Sequence, residues 1–409
     1  MTKARASGGW SCPRILRNGA IGAISLALTS LATLPASAQE VRSAVLRVDY
    51  PSLLPLSRLD LPVEDLGLAG AAVGTEDNAT TGRFMGQTYD TVTRAVPPGD
   101  LAAAFEELVG QGIRLFVVLA REDELLALAD AAPADALILN ARSGARSLRS
   151  EECRANLLHI APSDAMRADA LVQFLVWKKW TDLFLVHGSN PADLALADAY
   201  RAAARKFGAE VVGEREFEDT GGSRVSDSGH VLVQRQLPVF MQDTPDHDVV
   251  LAADGTDYFA EHLPYNLWEP APVAGATGLV PVSWAPTHES WGATQMQTRF
   301  EKHAGRTMRE EDYQAWLAVR VIGEAVTRTG AADADTIRDY VLGGEFELAA
   351  FKGQPVTFRT WNGQLRQPIL LSNGRMTVSV SPQDGFLHQR SPLDSLGLDE
   401  PESACTAFE

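Results

Sequence analysis

The chain has 409 residues, 45% apolar and 22% charged, proportions of a globular protein large enough for more than one core and not of a disordered one. Its formal net charge of −17 argues against nucleic acid and against anionic membrane surfaces as partners.

Lys3, Arg5, Arg14 and Arg17 come before an apolar run, Ala20–Leu34, and Ala36-Ser37-Ala38 offers a small-x-small cleavage site before Gln39. That is the pattern of an export signal. The run is about 15 residues, below the roughly 20 that span a bilayer, and no later stretch is long and apolar enough. The expectation is therefore a signal peptide over 1–38 and a mature protein free in the periplasm. Its removal takes away four basic groups and no acidic one, moving the charge from −17 to −21. Two cysteines stay behind, Cys153 and Cys405. A lone pair in an oxidising compartment commonly forms one disulfide, here from the extreme tail back to the first half; two separate buried thiols are the alternative.

Ala44–Tyr50 reads as a first strand, followed by a Pro-rich loop and a Gly/Ala-rich helix around Leu66–Asp77. Strand Thr88–Val96 leads to Asp100, placed to cap a helix over Leu101–Val109. Ile113–Leu119 and Asp135–Asn140 are apolar strands on either side of a helix over Glu122–Ala131. Apolar strands without alternation, separated by helices, indicate a parallel sheet covered on both faces. At the centre, Leu157–Ala161 is a strand that must end at Pro162. Ser163 then caps a helix apolar on most sides, and Leu183–Val186 continues as a strand, giving a right-handed βαβ unit. The alternation repeats with a helix over Ala192–Phe207 ending at Gly208, a strand over Glu210–Phe217, a helix over Gly229–Phe240, and strands at His247–Ala253 and Val273–Gly278. Glu289–His303, Glu311–Thr329 and Asp335–Leu342 are helices. Short strands at Val356–Trp361, Gln367–Leu371 and Met376–Ser381 then flank Asn362-Gly363 and Asn373-Gly374, both favoured hairpin turns. This meander is expected to decorate the second lobe. The fold class is α/β, two doubly wound parallel-sheet lobes joined by a multi-strand hinge. Lobe one is expected over 41–162 plus 285–344, lobe two over 163–284 plus 345–383, and a tail over 384–409.

Catalytic signatures are missing. There is no G-x-S-x-G elbow, H-E-x-x-H, G-x-x-x-x-G-K-[ST] or EF-hand loop, and Gly67, Gly70 and Gly74 lack dinucleotide spacing. No enzymatic activity, cofactor or metal is expected.

The order of elements, with EDYQAWLAVRVIGEAV (311–326) and FKGQPVTFRTWNGQLRQPILL (351–371), resembles the type I periplasmic solute-binding proteins of the branched-chain amino acid class. The segments ECRANLLHIAPSDAMRADAL, SGHVLVQRQLPVFMQ, LRQPILL and SPQDGFLHQ are similar to the branch associated with pyrroloquinoline-quinone-dependent alcohol dehydrogenase systems. There the protein is the substrate-binding component of an ABC transporter. The resemblance implies a small solute held between the lobes, an ABC permease and ATPase subunits as partners, and action as a monomer.

Ligands of such folds sit beyond the carboxyl ends of the strands. Carried over by position, the resemblance puts Arg121 and Glu122, then Asn140 and Arg142, at two lobe-one turns. His187 and Asp254 stand at lobe-two strand ends, Trp284 at a crossover, and Tyr50 at the end of the first strand. Asp254 keeps the acid that amino-acid binders use for the ammonium. Asn140 and Arg142 stand where amino-acid binders of this class place the small hydroxyl residues that hold the α-carboxylate, a departure from their pattern. Each residue has a plainer role: a solvated charge for Arg142, a helix cap for Asp254, an Asx turn for Asn140, packing for Tyr50, Trp268, Trp291 and Trp316, and a satisfied inter-lobe histidine for His187. One alternative is calcium or lanthanide delivery through Glu122, Asp123, Asp254 and Asp257. Another is a sensing or accessory protein for the dehydrogenase.

Overall fold

The structure, a computed structural model, describes residues 39–51, 61, 63–218 and 227–408; the expected signal peptide, 1–38, lies outside them. The described chain opens with β1 (Gln39–Val48), α1 (Leu68–Met85), β2 (Gln87–Val96), α2 (Leu101–Gly110), β3 (Leu115–Leu119), α3 (Glu122–Ala131), β4 (Leu137–Asn140) and β5 (Leu157–His159). The five strands form one parallel sheet in the order β2-β1-β3-β4-β5. β3, Leu-Phe-Val-Val-Leu, is buried throughout, because helices cover both faces of the sheet. Its alternate side chains serve two cores. Val45, Val117 and Leu139 pack with α1, whereas Ala44, Phe116 and Ile138 pack with Phe105 of α2 and Leu125 of α3. Asp100 stands before α2, but its side chain makes no capping bond.

The second lobe runs α4 (Asp164–Trp177), β6 (Asp182–Gly188), α5 (Pro191–Phe207), β7 (Glu210–Phe217), α6 (Asp227–Phe240), β8 (Val249–Ala253), β9 (Val273–Gly275) and β10 (Val280–Val282). Ser163 caps α4, accepting from the Met166 N–H at 3.1 Å. Its parallel sheet has the order β7-β6-β8-β9. Leu183, Leu185 and Leu251 meet α4 and α5 on one face, and Phe184, Val186 and Val250 meet Leu237 of α6 on the other.

The chain returns through α7 (Ala293–Ala304), α8 (Glu310–Thr329) and α9 (Ala334–Leu342), whose Phe300, Trp316, Val319 and Ile337 complete the first-lobe core. Helices α1 and α8 approach very closely. A Cβ on Gly70 would stand 1.9 Å from the Asp312 carbonyl oxygen, so no other residue fits there. The short strands β11 (Thr357–Phe358) and β12 (Leu365–Arg366) pair with each other, and β13 (Ile369–Ser372) and β14 (Thr377–Ser381) form an antiparallel sheet with β10.

That division corrects the expected lobe boundary. Phe346, Leu348, Val356, Phe358 and Leu365 belong to the first-lobe core, and only from Ile369 and Leu371 onward does the chain enter the second. The meander is thus split between lobes. Among the described residues the chain passes between lobes at 160–163, 282–285 and 366–369, and once more in the tail. The first three passages are stitched together. Gln367 Nε2 donates to the Ile160 carbonyl at 2.7 Å, Gln364 Nε2 to the His159 and Ala161 carbonyls, and Lys352 Nζ to Gln367 Oε1 at 2.7 Å. Arg167 donates to the Pro281 carbonyl at 2.9 Å and pairs with Glu310 of α8.

The tail is a structural member. Leu396 is buried in the second-lobe core, the buried Arg359–Asp394 pair (2.9 Å) seats it beside the hinge, and Phe408 packs on the first-lobe core. Gly397, at φ +79°, sits where a Cβ would come within 2.6 Å of Met166 Cγ. The expected disulfide is present: Cys153 and Cys405 are bonded, Cα atoms 5.6 Å apart. No described helix is long and apolar enough to cross a membrane. Trp316 is core, as expected, whereas Trp268 and Trp291 are 59% and 55% exposed, which corrects their assignment to packing.

Candidate functional site

In each parallel sheet the strand order reverses beside the first strand, and loops leaving neighbouring strands diverge there and open a crevice. In lobe one the reversal lies between β1 and β3, and in lobe two between β6 and β8. The two crevices face one cleft of about 1450 Å³. Its lobe-one wall is Arg121–Asp123 after β3 and Arg142–Ser147 after β4. Its lobe-two wall is α5, through Ala192, Ala195, Ala199 and Ala202, with Gly255 after β8. One side is formed by Gly397, Leu398 and Glu402 of the tail.

Tyr50 anchors the lobe-one wall. The Arg121 and Arg142 guanidinium carbons lie 4.1 and 5.0 Å from its ring centroid, both within cation–π range. Its hydroxyl donates to Glu124 and accepts from the Arg121 N–H at 2.8 Å. Burial, followed by the bond to Glu124, pushes the phenol upward in pKa, so it stays neutral. Both arginines are exposed, and neither guanidinium forms an ion pair with a described residue. By contrast, Arg146 nearby pairs with Glu151 at 3.7 Å.

Asn140 shapes the wall but does not itself line the cleft. It is fully buried. Its Oδ1 accepts from the Arg142 and Ser143 N–H groups at 3.0 and 2.9 Å, and its Nδ2 donates to the Ser143 carbonyl at 2.8 Å. This is the Asx turn, and it is what aims Arg142. Glu122 lines the cleft and accepts from the Ser147 hydroxyl.

Three expected ligand residues turn away. Asp254 accepts from the N–H groups of Tyr258 (2.8 Å), Phe259 (2.7 Å) and Ala260 (2.8 Å). Its carboxylate is taken up by the bend that leads into the short 3-10 helix Ala260–Tyr265, accepting the first helical N–H and the two before it. His187 is buried within lobe two, its Nδ1 at 2.8 Å from the Gly188 carbonyl and its Nε2 at 3.0 Å from Glu214. Trp284 is first-lobe core, stacked on Tyr313 at 4.8 Å with 12° between the rings. Tyr50, Arg121, Glu122, Asn140 and Arg142 do come together. Among the described residues no cluster of three or more His, Cys, Asp and Glu could hold a metal ion, and the acids considered for calcium are not assembled, since Asp254 points inward.

Sequence reasoning missed Ser143, Ser147, the tail and the alanine face of α5. The last had a signal, since positions 192, 195, 199 and 202 share one helix face. At the tail side, Asp169 accepts from Lys206 Nζ at 2.8 Å and the Gly397 N–H at 2.7 Å. Burial pushes its carboxyl up to about 6, against the pull of Lys206.

Residues 62–232 match the periplasmic binding protein family. The fold matches a branched-chain amino acid ABC transporter periplasmic ligand-binding protein of Burkholderia xenovorans (TM-score 0.67, 16% identity, 90% of this chain and 100% of that one). It also matches a leucine-, isoleucine-, valine-, threonine- and alanine-binding protein of Brucella ovis in its closed conformation (0.65, 14%, 82% and 89%). A third match is an ABC transporter solute-binding protein of Rhodopseudomonas palustris in complex with p-hydroxybenzoic acid (0.62, 14%, 84% and 97%). No curated protein sequence matches the chain. The segment match covers residues 62–232, and the fold is that of the type I periplasmic binding proteins.

Proposed function

We propose that this protein is the substrate-binding component of an ABC transporter. In this reading it is exported to the periplasm, holds a small solute in the inter-lobe cleft, closes by its hinge, and presents the closed form to a permease with its ATPase subunits. It acts as a monomer and catalyses no reaction. The observation that carries the reading is the cleft itself, set at the carboxyl ends of both parallel sheets and bounded by lobes joined through stitched passages. A solute touching both walls binds the closed state better than the open one, and that difference drives closure. The link to quinoprotein alcohol oxidation rests on the likeness of the four segments quoted above, and a permease gene and a quinoprotein dehydrogenase gene beside this one would support it.

The test is a thermal-shift screen of the mature protein, freed of calcium. The panel holds aliphatic alcohols with their aldehydes and acids, branched-chain amino acids, pyrroloquinoline quinone, calcium and lanthanum. A true ligand at a hundredfold excess over Kd adds about 2.7 kcal/mol of stability. A shift with an organic solute, lost in Arg142→Ala, is expected. A shift with lanthanum or calcium alone, or with nothing, overturns the reading.

A further inference from the structure

We infer that the solute is an organic carboxylate that carries no ammonium group. The inference rests on the reading of the cleft as the solute site and deepens it.

The cleft is lined by acids as well as bases, but its two lobe-one arginines at the strand ends, Arg121 and Arg142, have no ion-pair partner among the described residues. Arg121 and Arg142 come from different strand ends onto one tyrosine ring, at 4.1 and 5.0 Å. Stacking fixes the plane of a guanidinium and leaves its N–H edges free for a carboxylate. On the facing wall Arg205, near the end of α5, also lines the cleft without an ion pair to a described residue.

An ammonium finds no equivalent reception. Asp254 is taken up by three backbone N–H groups. Asp193 accepts from the Asn190 and Gly255 N–H groups, Asp198 pairs with Arg201, and Glu122 serves Ser147. Glu402 faces the Asp399 N–H and Lys206, and Asp169 is held by Lys206. Asp123 is exposed in the first turn of α3, where the positive end of the helix dipole compensates its charge. Asp164, which also lines the cleft, is pushed toward its neutral form by burial. Between the arginines and the tail, α5 presents methyl groups, so the remainder of the solute meets an apolar wall.

The test is calorimetric titration of the mature protein with skeleton-matched sets: 4-methylpentanoate, leucine and 4-methylpentan-1-ol; phenylacetate, phenylglycine and 2-phenylethanol; and a series of longer aliphatic and aromatic acids. At least one acid is expected to bind about tenfold or more tightly than its amino-acid and alcohol counterparts. Arg121→Gln/Arg142→Gln should weaken that acid by about thirtyfold or more while leaving the thermal midpoint of the free protein in place. An amino acid or alcohol that outbinds its acid, or an acid indifferent to the double substitution, overturns the assignment and leaves the solute-receptor reading standing. Binding of no compound in either screen overturns both.

Discussion

The two walls of the cleft are built on opposite principles. The first-lobe wall is made of loops whose side chains carry the hydrogen-bonding and charged groups, with two arginines on Tyr50 and a turn organised by Asn140. The second-lobe wall is one face of α5, and where polar residues stand at its strand ends they are committed to the lobe itself, as Asp254 and His187 are. Under the proposed function, recognition would be written in first-lobe loops and changed there without disturbing a core, while the alanine face of α5 would close over the solute between Asp198, Arg205 and Lys206. A helix face of alanines allows close approach and costs no side-chain entropy on closure.

Three substitutions probe that contrast. The largest effect is expected from Asp254→Ala. Three buried N–H groups would lose their acceptor, lowering stability by about 3 kcal/mol, whereas solute affinity at a temperature where the protein stays folded should change less than about twofold. Urea denaturation with calorimetry checks this, and lost binding at intact stability would restore Asp254 to the ligand shell. Next, Ala195→Trp on the exposed face of α5 should leave stability nearly unchanged yet weaken binding about a hundredfold, roughly 2.7 kcal/mol, by holding the walls apart. Unaltered affinity would show that α5 does not close on the solute. The smallest effect concerns Asp169, whose carboxyl is raised to about 6. An acid with a higher pKa folded than unfolded binds its proton more tightly in the native state, so stability rises as pH falls through that value. From about pH 7.5 to about pH 5 the wild type should gain about 1.4 kcal/mol relative to Asp169→Asn. A difference that stays flat with pH contradicts the buried-acid account.

Much of this architecture was legible in the chain. Leu-Phe-Val-Val-Leu and Leu-Ile-Leu-Asn have no polar face, and only a two-sided sheet buries such runs. Ser163 and Gly208 marked helix ends because their chemistry is local: the hydroxyl accepts from Met166, and Gly208 takes the left-handed conformation. The lobe boundary was not legible. Thr357–Phe358 and Leu365–Arg366 are two-residue strands, too short for periodicity to say which core they join. The site was half legible for a similar reason. Position at a strand end can be inferred, but the direction of a side chain there depends on which donors compete for it, and Tyr258, Phe259 and Ala260 won Asp254.

The bond between Cys153 and Cys405 spans a sequence separation of 252. With it every element of the second lobe lies inside a covalent ring closed on the first lobe. A protease that cuts once anywhere between those cysteines therefore releases no fragment: the two pieces migrate together until a reductant parts them. The same ring limits how far an unfolded second lobe can wander, an entropic restriction of about 5 kcal/mol for a loop of that length. In the opening and closing proposed for this protein, the ring lets the moving half swing but never come away.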